Sequence, residues 1–181
     1  AVEPRMIRLE KVTIHIDSLP DNLEGFTIGV LADLHLDTIR PEVVRHAVDM
    51  LNAEDPDLVL VAGDFASDAS MFDRINEAVG ALDNPYGVPG NWDRWCEDPS
   101  YKNYVRIDML VNRGIEAAPH LWLCGIDDAM LGNPSIDSAV AGAPEGAIKI
   151  LLAHEPDVAD WVEPHHGISL QISGHSHGGQ V

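Results

Sequence analysis

The chain has 181 residues, 45% of them hydrophobic, which is enough for one globular domain that needs no disulfide. Its 30 acidic residues outnumber its 11 lysines and arginines, and the resulting net charge of −19 argues against a nucleic-acid-binding module or nuclease. No run of 18 apolar residues exists, and residues 1–5 lack the features of a signal peptide, so we expect the chain as given to be soluble. Cys96 and Cys124 have no paired spacing and could be buried thiols or one disulfide.

The first half of the chain predicts alternating strands and helices. Alternation of apolar and polar residues predicts a strand over 12–16, and an apolar run predicts a second strand that ends at Asp33. A helix is expected from Pro41 to about residue 53, because apolar residues recur at helical spacing and proline is tolerated at the first helical position. A strand over 58–62 follows.

The next segment predicts a helix capped by Ser70, a short strand over 86–88 and a polar loop over 90–93. Residues 101–112 are typical of another helix, with Gly114 as its stop. Later strands are predicted over 121–124, 148–153 and 168–173, and the small residues of 139–146 predict a loop too short for a domain linker. The pattern predicts one α/β domain over residues 1–181.

Polar side chains follow five of these predicted strands, at the point where each strand ends. A carboxylate, an amide or imidazoles stand there, namely Asp33, His35, Asp64, Asn91, His154, His175 and His177. Each alone could serve a turn, a cap or a buried hydrogen bond. Because the carboxyl ends of strands gather ligand-binding groups at one rim of an α/β sheet, five such loops together predict a metal site.

The residue types in this set indicate which metals it suits. Imidazole and carboxylate together suit Mn, Fe, Zn or Ni, whereas the absence of thiolate argues against a structural zinc site. The potential ligands exceed the needs of one tetrahedral ion, so we expect two ions with Asp64 as the bridge. Two ions about 3.5–4 Å apart can hold a hydroxide between them and clamp an in-line displacement at phosphorus.

These motifs, in this order, resemble those of the calcineurin-like metallophosphoesterases. The resemblance rests on Asp33-x-His35, Gly63-Asp64, Gly90-Asn91-x-Asp93, His154 and Gly174-His175-Ser176-His177, and it covers nearly the whole chain. Residues 125–128, 151–157 and 175–180 further resemble a bacterial branch that includes a cell-wall-associated phosphoesterase and the UDP-2,3-diacylglucosamine hydrolases.

Members of that branch often carry a membrane segment or export signal before a Glu-Pro stretch like Glu3-Pro4. Relatives also continue into further strands beyond the point that corresponds to Gln180-Val181, so we expect the domain to be shortened at both ends. The parent protein is expected to be membrane-associated through the missing N-terminal segment or exported, and otherwise cytoplasmic.

The resemblance implies an α/β (α+β) fold, a four-layer sandwich of two mixed β-sheets flanked by helices, with the metal site at strand C-terminal ends. It places two divalent ions, of Mn, Fe or Zn, in the site. It assigns Asp33, His35 and His177 to one ion, assigns Asn91, His154 and His175 to the other, and makes Asp64 the bridge. It implies a metal-dependent phosphoesterase, for which we expect a small phosphodiester, nucleotide-linked or lipid-linked substrate cleaved at a phosphodiester or pyrophosphate bond.

One position departs from the family pattern. The family's loop normally carries His where this chain has Trp92, and Trp cannot act as a general acid. The catalytic candidates are therefore Asp64, Asn91, Asp93 and Arg94, with Asp93 positioning Arg94 toward the substrate unless Arg94 forms a surface pair with Asp98. A metal-binding domain with weak or lost catalysis is the alternative. The remaining histidines, at 15, 46, 120, 165 and 166, are expected to be structural or exposed.

Overall fold

The computed structural model describes residues 7–36, 38–66, 68–95 and 106–179. Two four-stranded sheets are present. The first contains β1 (Ile28–Leu31), β2 (Leu58–Ala62), β3 (Tyr86–Val88) and β4 (Asp108–Met109), and the second contains β5 (Arg113–Ala118), β6 (Leu121–Gly125), β7 (Ile148–Leu152) and β8 (Ile168–Ile172). The described α-helices are α1 (Pro41–Asn52), α2 (Phe72–Val79), α3 (Asn91–Trp95) and α4 (Ile136–Val140).

Four layers follow from how the strand residues alternate between faces. In β2, Val59 and Val61 pack in the apolar cluster that includes α1 and α2. The residues between them point the other way, so Leu60 packs with Leu123 and Ile150 of the second sheet. On the far face of that sheet, Cys124 and Leu151 pack with α4. The order is helix, sheet, sheet, helix, which confirms the predicted α/β sandwich.

The strand directions determine where the loops meet. β1, β2, β3 and β4 pair in parallel, so the first sheet is parallel at every described pair rather than mixed. The second sheet is mixed, because β5 and β6 are antiparallel whereas β6, β7 and β8 are parallel. Parallel strands bring their carboxyl ends to one edge, and the polar loops after β1, β2, β3, β7 and β8 all emerge at such edges.

Most of the predicted elements are confirmed within one or two residues, but the predicted strand over 12–16 is wrong. Those residues form no strand, and the side chains of Val12 and Ile14 are 77% and 52% exposed. A strand needs a neighbour to complete its ladder of hydrogen bonds, and no described strand pairs with this segment.

The predicted helix over 101–112 is also wrong where it can be compared. Residues 108–109 form strand β4 beside β3, and Gly114, the expected stop, lies inside β5. Ile107 and Met109 share the cluster of the first sheet's outer face, whereas Leu110 packs between the sheets. Apolar side chains that alternate between the two faces of a sheet favour a strand, and β3 is the neighbouring strand with which β4 pairs. The first part of this prediction, at 101–105, lies outside the described residues, as do Glu3-Pro4, Cys96 and Asp98.

Three local predictions need correction. The predicted polar loop over 90–93 is wrong for its last three residues, because Asn91–Trp95 forms helix α3. Ser70 does not cap α2: its backbone N–H donates to Asp68 Oδ1 at 2.8 Å, and α2 begins at Phe72 after a 3₁₀ turn over Ala69–Met71. The predicted loop over 139–146 begins inside α4, which is capped by Ser135, whose Oγ accepts the Ser138 N–H at 3.2 Å.

Cys124 is a buried free thiol. None of the helices in the described part of the chain is long and apolar enough to cross a membrane.

Candidate metal centre

The loops that carry the predicted ligands have an unusual backbone. Asp33, His35, Asp64, His175 and His177 all have positive φ, between 38° and 66°, although none is glycine. Such conformations cost free energy for residues with a Cβ and tend to accumulate at functional sites. The backbone therefore turns sharply in the loops after β1, β2 and β8, where these five residues stand.

One group of side chains comes from the loops after β1 and β8. It consists of Asp33, His35 and His177. The Nε2 atoms of His35 and His177 lie 3.2 Å apart, and Nε2 of His177 lies 3.8 Å from Oδ1 of Asp33. Asp33 also accepts the backbone N–H of His175 at 2.9 Å, which holds the two loops together.

A second group lies beside the first. It contains Asp64, His154 and His175. Nδ1 of His175 lies 3.3 Å from Nε2 of His154 and 3.2 Å from Oδ1 of Asn91. Asn91 is buried at the start of α3, so its side-chain oxygen faces this group.

Asp64 joins the two groups. Its Oδ2 lies 3.6 Å from Nε2 of His35 in the first group and 3.2 Å from Nε2 of His154 in the second. Its Oδ1 accepts the backbone N–H of Trp92 at 2.9 Å, which fixes the carboxylate plane. The structure therefore brings all seven predicted ligands together, and Asp64 occupies the central position among them.

The spacing of these atoms fits metal ions. Two imidazole nitrogens on one tetrahedral ion, each at a bond length of 2.0–2.1 Å, stand about 3.3 Å apart. The pairs His35–His177 and His154–His175 show this spacing, at 3.2 and 3.3 Å. His154 Nδ1 lies 2.7 Å from the carbonyl oxygen of Ala62, so donation to that carbonyl leaves the Nε2 lone pair directed at the site.

Two glycines make this close approach possible. A Cβ on Gly63 would lie 2.6 Å from Nδ1 of His154, and a Cβ on Gly90 would lie 2.3 Å from Oδ1 of Asp64. Glycine is therefore required in Gly63-Asp64 and in Gly90-Asn91, because the side chain of a predicted ligand occupies the space that a Cβ would need.

The electrostatics of the protein without metal also suit a cation. Burial disfavours the charged form of His154, but the neighbouring Asp64 carboxylate outweighs this and raises the pKa of His154. Burial likewise opposes ionisation of Asp64, yet His154, the Trp92 N–H and His35 together lower the pKa of Asp64. The imidazolium of His154 thus neutralises a carboxylate that a bound metal would neutralise instead, with release of the proton.

The two remaining catalytic candidates have other partners. Asp93 is buried and accepts four backbone N–H groups, from Asp64, Phe65, Ala66 and Gly90, at 2.8–3.3 Å. Burial raises the pKa of Asp93 to about 7. Arg94 binds Asp127, with Nε donating to Oδ1 at 2.8 Å. Asp93 therefore fixes the Asp64 loop rather than Arg94, and the alternative pairing with Asp98 lies outside the described residues.

Sequence reasoning did not assign roles to Asp127, Asp128 and Glu155. All three are buried at or after the ends of β6 and β7. Asp127 and Asp128 follow a strand as the predicted ligands do, and that position is the signal that could have identified them.

A third group with metal-like composition consists of Asp137, His165 and His166. His166 Nδ1 accepts the backbone N–H of Glu163 at 2.9 Å, so its Nε2 carries the proton and faces Asp137 Oδ1 at 3.3 Å. A nitrogen that carries a proton has no lone pair for an ion. We therefore interpret His166 as part of the capping box that it forms with Glu163 at the 3₁₀ turn over Pro164–His166, with Asp137 beside its Nε2.

Comparison with known proteins identifies related sequences. The family model "Calcineurin-like phosphoesterase" matches residues 26–179. "Uncharacterized metallophosphoesterase YkuE" of Bacillus subtilis is 28% identical over 99% of this chain and 68% of its own length. "Transmembrane protein with metallophosphoesterase domain" of Danio rerio is 30% identical over 100% of this chain, and an "Uncharacterized metallophosphoesterase" of Helicobacter pylori is 26% identical over 96%. The chain spans only 46% and 50% of the lengths of these last two relatives.

Proposed function

Because this chain belongs to the calcineurin-like phosphoesterase family, we propose that it is a two-metal hydrolase that cleaves phosphodiester or pyrophosphate bonds. Membership makes the chain a metal-dependent phosphoesterase. The ligand groups identify residues that suit divalent metal ions. The number of ions and the type of bond are the parts that we propose.

The position of Asp64 is the observation that carries the two-ion proposal. One of its oxygens lies within 3.6 Å of an imidazole nitrogen from each of the two ligand groups. A single tetrahedral ion would use four donors, whereas seven converge here. Asp33, His35 and His177 would hold one ion, Asn91, His154 and His175 would hold the other, and Asp64 would contact both.

Bound divalent ions supply Lewis-acid stabilisation of phosphoryl oxygens and lower the pKa of water toward 7, which provides the nucleophile. The chain supplies the orientation of these ligands. The Trp92 N–H orients the Asp64 carboxylate, Asp93 fixes the backbone of the Asp64 loop, and the Ala62 carbonyl orients His154.

The charge of the site supports a diester or pyrophosphate substrate. Asp33 and Asp64 are the two anionic ligands, so two divalent ions leave the centre only moderately positive. Arg94 is the cation of the neighbouring helix α3, and its guanidinium forms an ion pair with Asp127. A monoester dianion therefore gains little extra support compared with a singly charged diester.

Hydrolysis of two nitrophenyl substrates tests this proposal. With added Mn²⁺, bis(p-nitrophenyl) phosphate should be cleaved faster than p-nitrophenyl phosphate, which has the same leaving group. Asp64→Asn should abolish most of this activity, whereas Asp49→Asn, at an exposed position of α1, should leave it unchanged. Faster cleavage of the monoester would contradict the proposed type of bond.

A metal-binding domain with weak catalysis is the second candidate function, and Trp92 is the observation that favours it. The Trp92 ring lies edge-on to His35, with the ring centroids 5.4 Å apart, and a tryptophan there supplies no titrating proton donor. This candidate predicts metal uptake without product from either nitrophenyl substrate.

We also propose that the whole protein is membrane-associated or exported, with a small nucleotide-linked or lipid-linked phosphoester as its substrate and no nucleic-acid partner. The printed name of the Danio rerio relative, which calls it a transmembrane protein, supports the membrane part. The net charge of −19 supports the exclusion of nucleic acid. Fractionation of cells that express the full-length protein tests the location, and its recovery with the cytosol alone would contradict this proposal.

A further inference from the structure

Exposed apolar side chains stand on helix α3, which begins with the predicted ligand Asn91, and on the turn after β6. Trp95 is 67% exposed on α3, and Met130 and Leu131 are 62% and 52% exposed on the turn after β6. Large apolar side chains are usually buried, and several exposed ones on segments near a polar site indicate a surface that binds something apolar.

Trp92 connects this surface to the metal ligands. Its ring packs edge-on against His35 at an interplanar angle of 84°, and its backbone N–H donates to Asp64. The ring of Trp95 follows at a centroid distance of 5.9 Å and an angle of 68°. The aromatic surface therefore runs from a predicted metal ligand to solvent.

The turn that carries Met130 and Leu131 is fixed to the same helix. Arg94 lies between the two tryptophans in sequence, and its Nε donates to Asp127 Oδ1 at 2.8 Å. The other oxygen of this carboxylate, Oδ2, accepts the Asn133 N–H at 3.0 Å. Asp128 Oδ1 accepts the N–H groups of Met130 and Leu131. The turn is thus held in a defined conformation beside α3.

We propose that Trp92, Trp95, Met130 and Leu131 form a hydrophobic wall that binds an alkyl or acyl chain of the substrate, which makes the substrate an amphiphilic phosphoester. This inference rests on the proposed phosphoester hydrolysis. The tilted tryptophan rings offer no parallel slot for a planar base, whereas a hydrocarbon chain packs against any apolar surface. The Arg94 charge beside the wall is neutralised by Asp127.

A series of p-nitrophenyl alkyl phosphodiesters tests the hydrophobic wall, because the leaving group stays the same while the alkyl group grows from methyl to butyl to octyl. All substrates are used with Mn²⁺ below their micelle concentrations. A chain half-buried on the wall should raise kcat/KM about twofold for each added methylene. Trp95→Ala, and separately the double substitution Met130→Ser with Leu131→Ser, should lower the octyl-to-methyl ratio about tenfold.

Trp161→Ala is the matched control. Trp161 is also a half-exposed tryptophan, but it lies on the 3₁₀ segment Pro156–Trp161, so its removal should leave the ratio unchanged. Hydrolysis that does not depend on chain length, or a ratio that Trp95→Ala leaves intact, overturns the hydrophobic wall. If no diester is cleaved, the proposed hydrolysis fails instead. The wall is then tested by quenching of tryptophan fluorescence in the two variants. Octylphosphonate should quench less in Trp95→Ala than in Trp161→Ala, whereas methylphosphonate should show no such difference. Equal quenching of both variants by octylphosphonate overturns the wall.

Discussion

Asp93 shows how one buried side chain can organise a site without reaching it. Oδ2 accepts the N–H groups of Asp64 and Gly90, and Oδ1 accepts those of Phe65 and Ala66. These bonds hold the loop after β2 against the loop after β3. The position of Asp64 therefore depends on the Asp93 carboxylate, which accepts these four hydrogen bonds from backbone N–H groups.

Asp93→Asn should destabilise the protein although it preserves size and shape. Either orientation of the amide places its NH₂ group against two backbone N–H donors, so two buried donors lose their acceptor. Two unsatisfied buried groups cost about 2–6 kcal/mol, at about 1–3 kcal/mol each. The neutral amide also removes the buried charge, whose unfavourable burial raises the pKa of Asp93, so the free energy of unfolding should fall by only about 1–2 kcal/mol. Urea unfolding at pH 8 measures this, and Asp49→Asn is the matched control on exposed α1. Equal stability of the two variants would contradict this account of Asp93.

Trp92 makes a second prediction at this scale. A positioned general acid contributes about 10²–10⁴-fold, chiefly when the leaving group is a poor one. Without it the rate should fall steeply as the pKa of the leaving group rises, and Trp92→His should make that dependence shallower. Rates for a series of substituted phenyl phosphodiesters measure the slope. A shallow slope in the unmodified protein would mean that another residue donates the proton.

At the scale of elements, the sequence predicted those parts whose pattern is local. The helix over 41–52 and the strand over 58–62 have strong periodicity and flanking breakers, and both are confirmed. β4 was missed because it has only two residues and pairs with β3, which lies about twenty residues earlier in the chain. β5 has six residues and pairs with the adjacent β6, but it was missed because its second residue, Gly114, was interpreted as the end of a helix. Gly114 illustrates this: a Cβ there would lie 2.2 Å from the Ala139 carbonyl oxygen, so the glycine permits packing of α4 rather than ending a helix.

The buried carboxyl pair of Asp128 and Glu155 joins the loops after β6 and β7. Their atoms Asp128 Oδ2 and Glu155 Oε1 receive no hydrogen bond from donors in the described residues, as expected if a protonated Glu155 donates to Asp128. Burial, and then Asp128, raise the pKa of Glu155 to about 7. A carboxyl group whose folded pKa lies above its unfolded value contributes stability at low pH, and this contribution is lost as the pH rises through the folded pKa.

Asp128→Asn should weaken this pH dependence, because the new amide can donate to an ionised Glu155. The metal-free protein should lose stability between pH 5 and pH 8, and the variant should lose less. Urea unfolding with chelator at both pH values compares them, with Asp49→Asn as the control for charge. The same loss in all three proteins would show that Asp128 does not control the protonation of Glu155.

At the scale of the whole molecule, the grouping of the predicted ligands could be foreseen because it follows a topological rule. Parallel strands bring their carboxyl ends to one edge, so residues as distant as Asp33 and His177 become neighbours without any local signal that links them. The functions of Asp93 and Arg94 could not be predicted in this way. Their partners are backbone groups and an aspartate of another loop, which only the assembled sheets bring into reach.

The central claim is that one carboxylate, Asp64, joins two metal sites, and the metal content per chain tests it most directly. After chelation and reloading with Mn²⁺, elemental analysis should find about two ions per unmodified chain, because each ligand group would hold one. His175→Ala should retain about one ion, since it removes a ligand of the second group alone. Asp64→Asn should weaken both sites and bind fewer than one, whereas Asp49→Asn should bind about two. A content near one in the unmodified protein, or the same content in Asp64→Asn and His175→Ala, would contradict the shared two-ion centre.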